Sequence, residues 1–214
     1  MIVAIDGPSG AGKSTVARLL AERLGAAFLD TGAMYRAVTR ACIDRGLAFD
    51  DARGCAECAR ALAFGAGSDR TLRIDGAPPG PELRTEDVTG AVSEVSAHAG
   101  VRDLVVAAQR RLAAQLGDVV AEGRDMTTAV FPDAEHRIYL DATPGERARR
   151  RAEELGRAAD VEAIEADIRR RDDYDMSREV APLRRVPEQT LVQTDGLSID
   201  DVLERLLAIV RGDG

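Results

Sequence analysis

The sequence is nearly devoid of lysine: of 29 basic side chains, Lys13 is the single lysine and the other 28 are arginines. Asparagine and tryptophan are missing altogether, and aromatic residues make up 3% of the 214 positions. Without asparagine or a second lysine there is no Asn-Lys-x-Asp element of the kind by which Ras-type GTPases read guanine, so that class is excluded. No apolar run is long enough to cross a bilayer. Nor is positive charge in excess: a net charge of −8 argues against a general nucleic-acid binder, which needs a basic face. Met1 leads straight into the apolar Ile2-Val3-Ala4-Ile5, which leaves no room for a signal peptide. Together with only three cysteines, this predicts a cytoplasmic protein.

The cysteines carry one motif, Cys55-x-x-Cys58. A zinc or redox site would need a second cysteine or histidine pair, and Cys42, His98 and His136 are scattered. The surrounding Asp51–Phe64 segment reads as an alanine-rich helix, where cysteine behaves as a small hydrophobe.

What is present begins with the lone lysine. Lys13 completes the pattern G-x-x-x-x-G-K-[ST] in Gly7-Pro8-Ser9-Gly10-Ala11-Gly12-Lys13-Ser14, with Thr15 following. In such a loop, backbone N–H groups at a helix N-terminus form an anion nest, the lysine reaches the β- and γ-phosphates, and the Ser14 hydroxyl meets Mg²⁺. A compact, flexible ammonium suits that place, and a planar guanidinium does not. Gly7 to Thr15 is therefore the expected binding site for a nucleoside triphosphate, but the loop is silent about where the phosphate goes.

The remaining pattern alternates strands and helices in a chain sized for one α/β domain, which predicts a parallel sheet covered on both faces. Strands are expected at Ile2–Ile5, Ala26–Leu29, Val119–Ala121, Arg137–Leu140 and Leu191–Gln193. Helices are expected at Lys13–Leu24, Gly32–Arg45, Thr85–Ala97, Val101–Leu116, Glu146–Gly156, Val161–Met176 and Ile199–Val210. Between about Ala63 and Pro81 the alternation of Thr71-Leu72-Arg73-Ile74-Asp75 suggests a small antiparallel insertion.

A kinase must also hold an anionic acceptor and neutralise charge on the transferring group. Arginines stand in four suitable places. Arg36 follows the second strand in Asp30-Thr31-Gly32-Ala33-Met34-Tyr35-Arg36, and Arg124 follows a core strand in Glu122-Gly123-Arg124-Asp125; both motifs point to the carboxyl edge where α/β ligands bind. Arg147, Arg149, Arg150 and Arg151 crowd one helix, in excess of the nearby acids, and read as a phosphate clamp against the alternative of a solvated face. Arg169, Arg170 and Arg171 precede Asp172-Asp173-Tyr174-Asp175 and Arg178.

These motifs occur in the order found in bacterial cytidylate kinases, which the chain resembles over nearly its whole length. The resemblance rests on Asp6–Thr15, Leu29–Arg36, Leu83–Val88, Gly123–Met126, Val130–Ala134 and Arg171–Leu183. It implies a P-loop NTPase fold, a three-layer α/β/α domain of adenylate-kinase type with a five-stranded parallel sheet. A small antiparallel insertion would enlarge the monophosphate-binding region, residues 31–100, and a short lid would span residues 145–162. It also implies ATP as donor with Mg²⁺ on Ser14, CMP and dCMP as acceptors, and a monomer.

By the same resemblance, Lys13, Arg124, Arg147 and Arg151 serve catalysis. Thr31, Arg36, Arg124 and Arg178 hold the CMP phosphate; Ser93, Arg102 and Asp125 read cytosine; Arg171 and Asp175 hold the ribose, with Tyr35 also in the acceptor site. The chemistry fits, since a carboxylate accepts from the cytosine N4 amino group and repels the carbonyl of uracil. Ser93 reads equally as a solvent-facing helix serine, and Asp175 as an ordinary ion-pair partner of Arg171 or Arg178. The alternatives are another small P-loop kinase, with UMP, AMP or a non-nucleotide acceptor, or a non-catalytic nucleotide-binding module.

Two positions depart from the family pattern. Thr127 stands where glycine is usual, which predicts either strain or a narrower pocket. Gln193 stands where aspartate is common.

Overall fold

A computed structural model describes residues 1–212. Five strands form one parallel sheet: β1 (Ile2–Asp6), β2 (Ala27–Asp30), β5 (Val119–Gly123), β6 (His136–Asp141) and β7 (Thr190–Gln193), in the order β2-β5-β1-β6-β7. An antiparallel pair, β3 (Phe64–Ala66) and β4 (Leu72–Ile74), makes the expected insertion. The helices are α1 (Lys13–Leu24), α2 (Thr31–Asp44), α3 (Ala52–Ala61), α4 (Glu86–Ala97), α5 (Ala99–Leu116), α6 (Pro144–Leu155), α7 (Val161–Ser177) and α8 (Ile199–Arg211).

The strands alternate between two buried faces, as parallel strands covered on both sides must. Ala4, Val119 and Ala121 pack toward α2, α3 and α5; Val3, Ile5, Val120, Ile138 and Leu140 pack toward α1 and α8. Cys42, Cys55 and Cys58 are all fully buried in the first of these clusters, as free thiols. Α6 and α7 meet over their own small core of Ala148, Ala152, Ile164 and Ile168.

Expected and observed boundaries differ where charge met backbone pairing. β5 runs two residues beyond Ala121 because Glu122 and Gly123 pair with Ile5 and Asp6 across the ladder. That buries Glu122, a residue whose charge alone reads as loop. The alanine-rich helix stops at Ala61, since Phe64 is taken by the insertion strand β3. A π-helical turn, Met126–Val130, follows β5 and has no periodic signature in so short a stretch.

Parallel register places Asp6 beside Gly123, and Asp30 beside Glu122, at one carboxyl edge. Strand order reverses about β1, so the crevice opens at the end of β1, where the glycine loop begins. Gly7 lies against strand β6: a Cβ there would stand 2.0 Å from the Leu140 carbonyl oxygen, at φ +152°. Gly7→Ala is therefore expected to cost more than about 3 kcal/mol, read as a large fall in Tm or as failure to yield soluble protein.

Candidate functional site

The donor half is built by the loop after β1. Gly12 caps α1 with φ +83°, a left-handed conformation, and the first turn of α1 lines the crevice. Lys13 is 6% exposed, and its Nζ donates to the Pro8 carbonyl at 2.7 Å. Burial first, then the Arg124 charge, pull its ammonium down to about 7. Ser14 Oγ donates to Glu122 Oε1 at 2.8 Å, setting two hard oxygen donors side by side beneath the loop.

Behind the loop sits Arg147. Its guanidinium donates to the Ser9 carbonyl at 2.8 Å, the Ala142 carbonyl at 2.9 Å and Asp172 at 2.5 Å, while Asp172 also accepts the Ser9 N–H at 3.0 Å. Arg147 is expected among the catalytic arginines, and in this structure it is engaged with the loop's own backbone. It faces the back of the loop and does not line the cleft, so its visible work is to hold the loop's shape. Its neighbours diverge as their helix phases dictate. Arg149 is an exposed partner of Glu146 and Glu153, Arg150 reaches Glu146 and Thr194, and Arg151 enters the cleft paired to Glu154.

The cleft holds 280 Å³ and runs from the loop to an acceptor pocket walled by α2, α4, α5 and α7. Within the loop motif, Ser9, Gly10, Gly12, Lys13, Ser14 and Thr15 line it, whereas Gly7, Pro8 and Ala11 do not. Every expected acceptor residue lines it too: Thr31, Tyr35, Arg36, Ser93, Arg102, Arg124, Asp125, Arg171, Asp175 and Arg178. Ser93 faces this cleft rather than open water. Asp175 pairs with Arg124, at 2.9 Å, instead of with Arg171 or Arg178. Arg169 and Arg170 turn away into exposed pairs with Glu165 and Asp167.

At the far end Arg102 and Asp125 form a hydrogen-bonded ion pair with side chains 4% and 3% exposed. The Arg102 guanidinium stands 5.8 Å from the centre of the Tyr35 ring. Arg178 approaches Asp125 at 3.8 Å. Arg36 is held by Asp30, which also caps α2 and accepts from Arg84.

Cationic donors here exceed their acceptors. Arg36 Nε, Arg171 Nε and one terminal nitrogen of Arg178 are buried without a hydrogen-bond partner among the described residues. Burial, then the Arg124 charge, pulls Arg171 down to about 10, the mark of a cation crowded by cations. A multiply charged anion would satisfy those donors.

Thr127 meets neither expectation. It is absent from the residues with positive φ and does not line the cleft; its hydroxyl bonds to Asp6 and Gln189. Gln193 ends β7 as an exposed residue paired in register with Asp141. The residues that sequence reasoning missed are Glu122, Asp172 and Asp6, carboxylates whose side-chain partners lie 25 to 183 residues away. Only the position of Glu122 and Asp6 at strand ends hints at them.

A glycine loop at the switch point of a parallel sheet, opposite an arginine-rich acceptor pocket, defines a P-loop kinase, with ATP as phosphoryl donor. A family model described as cytidylate kinase matches residues 3–212, and the chain belongs to that family. It is 49% identical to a cytidylate kinase of Rhodococcus opacus (strain B4), over 98% of this chain and 94% of that one. It is 48% identical to the cytidylate kinase of Rhodococcus jostii (strain RHA1), with the same coverage. Among solved structures, an uncharacterized protein from Eubacterium ventriosum aligns with a TM-score of 0.54 at 12% identity, covering 99% of this chain and 98% of that one. At that identity the likeness concerns the fold alone. No helix among the described residues is long and apolar enough to cross a membrane.

Proposed function

We propose that this protein transfers the γ-phosphoryl group of ATP to CMP and dCMP, releasing ADP and CDP or dCDP. The observation that carries the acceptor choice is the buried Arg102–Asp125 pair at the closed end of an arginine-lined cleft. Its carboxylate suits the N4 amino group of cytosine and its guanidinium the ring acceptors, whereas uracil would set a carbonyl against Asp125.

An oxygen of the CMP phosphate, anionic at neutral pH, attacks the γ-phosphorus in line, and the bond to the β,γ-bridging oxygen breaks. No strong general base is needed. Thr31, Arg36, Arg124 and Arg178 hold the acceptor phosphate, Arg171 and Asp175 its ribose, and Ser93 and Tyr35 the base end. Lys13 follows the migrating group, with Arg151 closing from the lid. The separate small core between α6 and α7 supports movement of residues 145–162 as that lid, shutting out water. Ser14 and Glu122 fit Mg²⁺, directly or through its waters, and the ion supplies charge neutralisation when bound. The site is complete within one chain, which fits a monomer, and the free, buried thiols of Cys42, Cys55 and Cys58 suit a reducing compartment such as the cytoplasm.

Coupled ADP release measured across CMP, dCMP, UMP, AMP and shikimate checks the reading. CMP and dCMP are expected to exceed UMP by at least about a hundredfold in kcat/KM. Preference for UMP, or no turnover with any acceptor, would overturn it.

A further inference from the structure

The transfer described above uses Asp125 but none of the residues that hold it. Asp6 ends β1 one residue before the phosphate loop and is fully buried. Its carboxylate accepts four donors: the Met126 N–H at 2.7 Å, the Thr127 N–H at 2.9 Å, Thr127 Oγ1 at 2.7 Å and Gln189 Nε2 at 3.2 Å. Gln189 Nε2 also donates to Thr127 Oγ1 at 2.5 Å. Through Oε1 the same amide accepts the Val186 N–H at 2.7 Å, closing the turn that leads into β7. Burial pushes Asp6 up to about 6, while the donors from Thr127 and Met126 pull the other way and favour the ionised, acceptor-only carboxylate.

One carboxylate thus gathers three segments distant in sequence. Two of its donors are the backbone N–H groups immediately after Asp125. On the other side, the Asp125 carbonyl accepts from Ala129 and Val130, at 2.9 and 3.1 Å. The backbone at Asp125 is therefore held by bonds from both directions. Neither Asp6, Thr127 nor Gln189 lines the cleft, so none of them touches substrate.

We propose that Asp6, Thr127 and Gln189 form a positioning knot that aims Asp125 at the acceptor base and so sets acceptor specificity, a role that rests on the CMP reading. With the knot intact, the carboxylate cannot swing aside for a base that offers a carbonyl instead of an amino group. With it loosened, cytosine loses a well-aimed acceptor, uracil loses its penalty, and the two acceptors converge. The phosphate loop has its own support in Arg147 and Asp172, so ATP binding should not follow.

Because Asp6 underlies the core, the test falls on its partners. Thr127→Val keeps the shape and deletes the hydroxyl; Gln189→Leu deletes the amide; Thr127→Ser retains the hydroxyl. Thr127→Val and Gln189→Leu are each expected to raise KM for CMP about tenfold and to shrink the CMP-over-UMP ratio of kcat/KM by a similar factor. KM for ATP should stay within about twofold, and Thr127→Ser should behave as wild type. A lower Tm with unchanged CMP KM and CMP/UMP ratio would reduce the knot to a merely structural element. A parallel rise in both KM values would assign it to the loop instead. Amide hydrogen exchange at Met126 and Thr127 in the free protein reads the knot without any acceptor: Thr127→Val should speed it about tenfold, and unchanged protection would overturn the proposal. Failure of the wild type to phosphorylate CMP would count against the function, leaving the exchange rates to decide the knot.

Discussion

Replacing Lys13 with methionine is expected to lower kcat by about a thousandfold or more while raising the thermal stability of the free protein. The two effects have one cause. Lys13 is buried, and that burial, reinforced by Arg124, disfavours its charged form; Glu122, Asp172 and Asp6 pull the other way without prevailing. Its ammonium titrates at about 7 in the folded protein against 10.5 when unfolded. Between those values the unfolded chain binds more protons, so the protein gains stability as pH rises across that window, and below pH 7 the cost of the buried charge is present in full.

Methionine removes that cost, so a Tm rise of about 5 °C is expected at pH 7, shrinking as pH approaches 10. ATP phosphates restore the charged lysine. Titration calorimetry at pH 8, in buffers of different ionisation enthalpy, should show proton uptake on ATP binding; its absence would overturn this account of Lys13. A neutral amine is also a nucleophile. An amine-reactive ATP analogue should label Lys13 and, besides it, at most the N-terminal amine, which Asp118 holds in its charged form. ATP should protect Lys13 from that label.

The second large effect concerns the other end of the cleft. Asp125→Ala leaves the Arg102 and Arg178 guanidiniums buried without their shared counter-charge. Breaking one side of a buried pair costs about 3–5 kcal/mol, so Tm should fall by roughly 10 °C. CMP turnover should fall by at least about a thousandfold, since the site loses the acceptor for N4 and its remaining donors go unpaired. Replacing both partners with apolar residues of similar volume, Asp125→Leu with Arg102→Met, should recover much of the stability and none of the activity. Equal recovery of both would show that the pair is structural and that another group reads the base.

Local chemistry was legible in advance. The phosphate loop, its helix Lys13–Leu24 and the direction of the strands lie within windows of a dozen residues, where spacing and periodicity carry the information. The residues that the resemblance places in the acceptor site all line the one cleft. Arg147 shows the limit. Arg147, Arg149, Arg150 and Arg151 are chemically identical and nearly adjacent, yet one braces the loop, one faces water, one reaches Thr194 and one lines the cleft. A helix turns about 100° per residue, so their roles follow from what stands on each side, and Asp172 is 25 residues away.

By itself the sequence determined that the one ammonium stands in the phosphate-loop motif and that every other basic side chain but the two histidines is a forked guanidinium. Spacing within one loop and the near-absence of lysine suffice for that. Only the tertiary structure decided which arginines line the cleft, and which carboxylates underlie it. Glu122 comes beneath Ser14 and Asp6 beneath the Asp125 turn through the parallel register of β1 and β5. That register is a long-range hydrogen-bonding outcome, fixed by the burial of both sheet faces, and no stretch of chain encodes it locally.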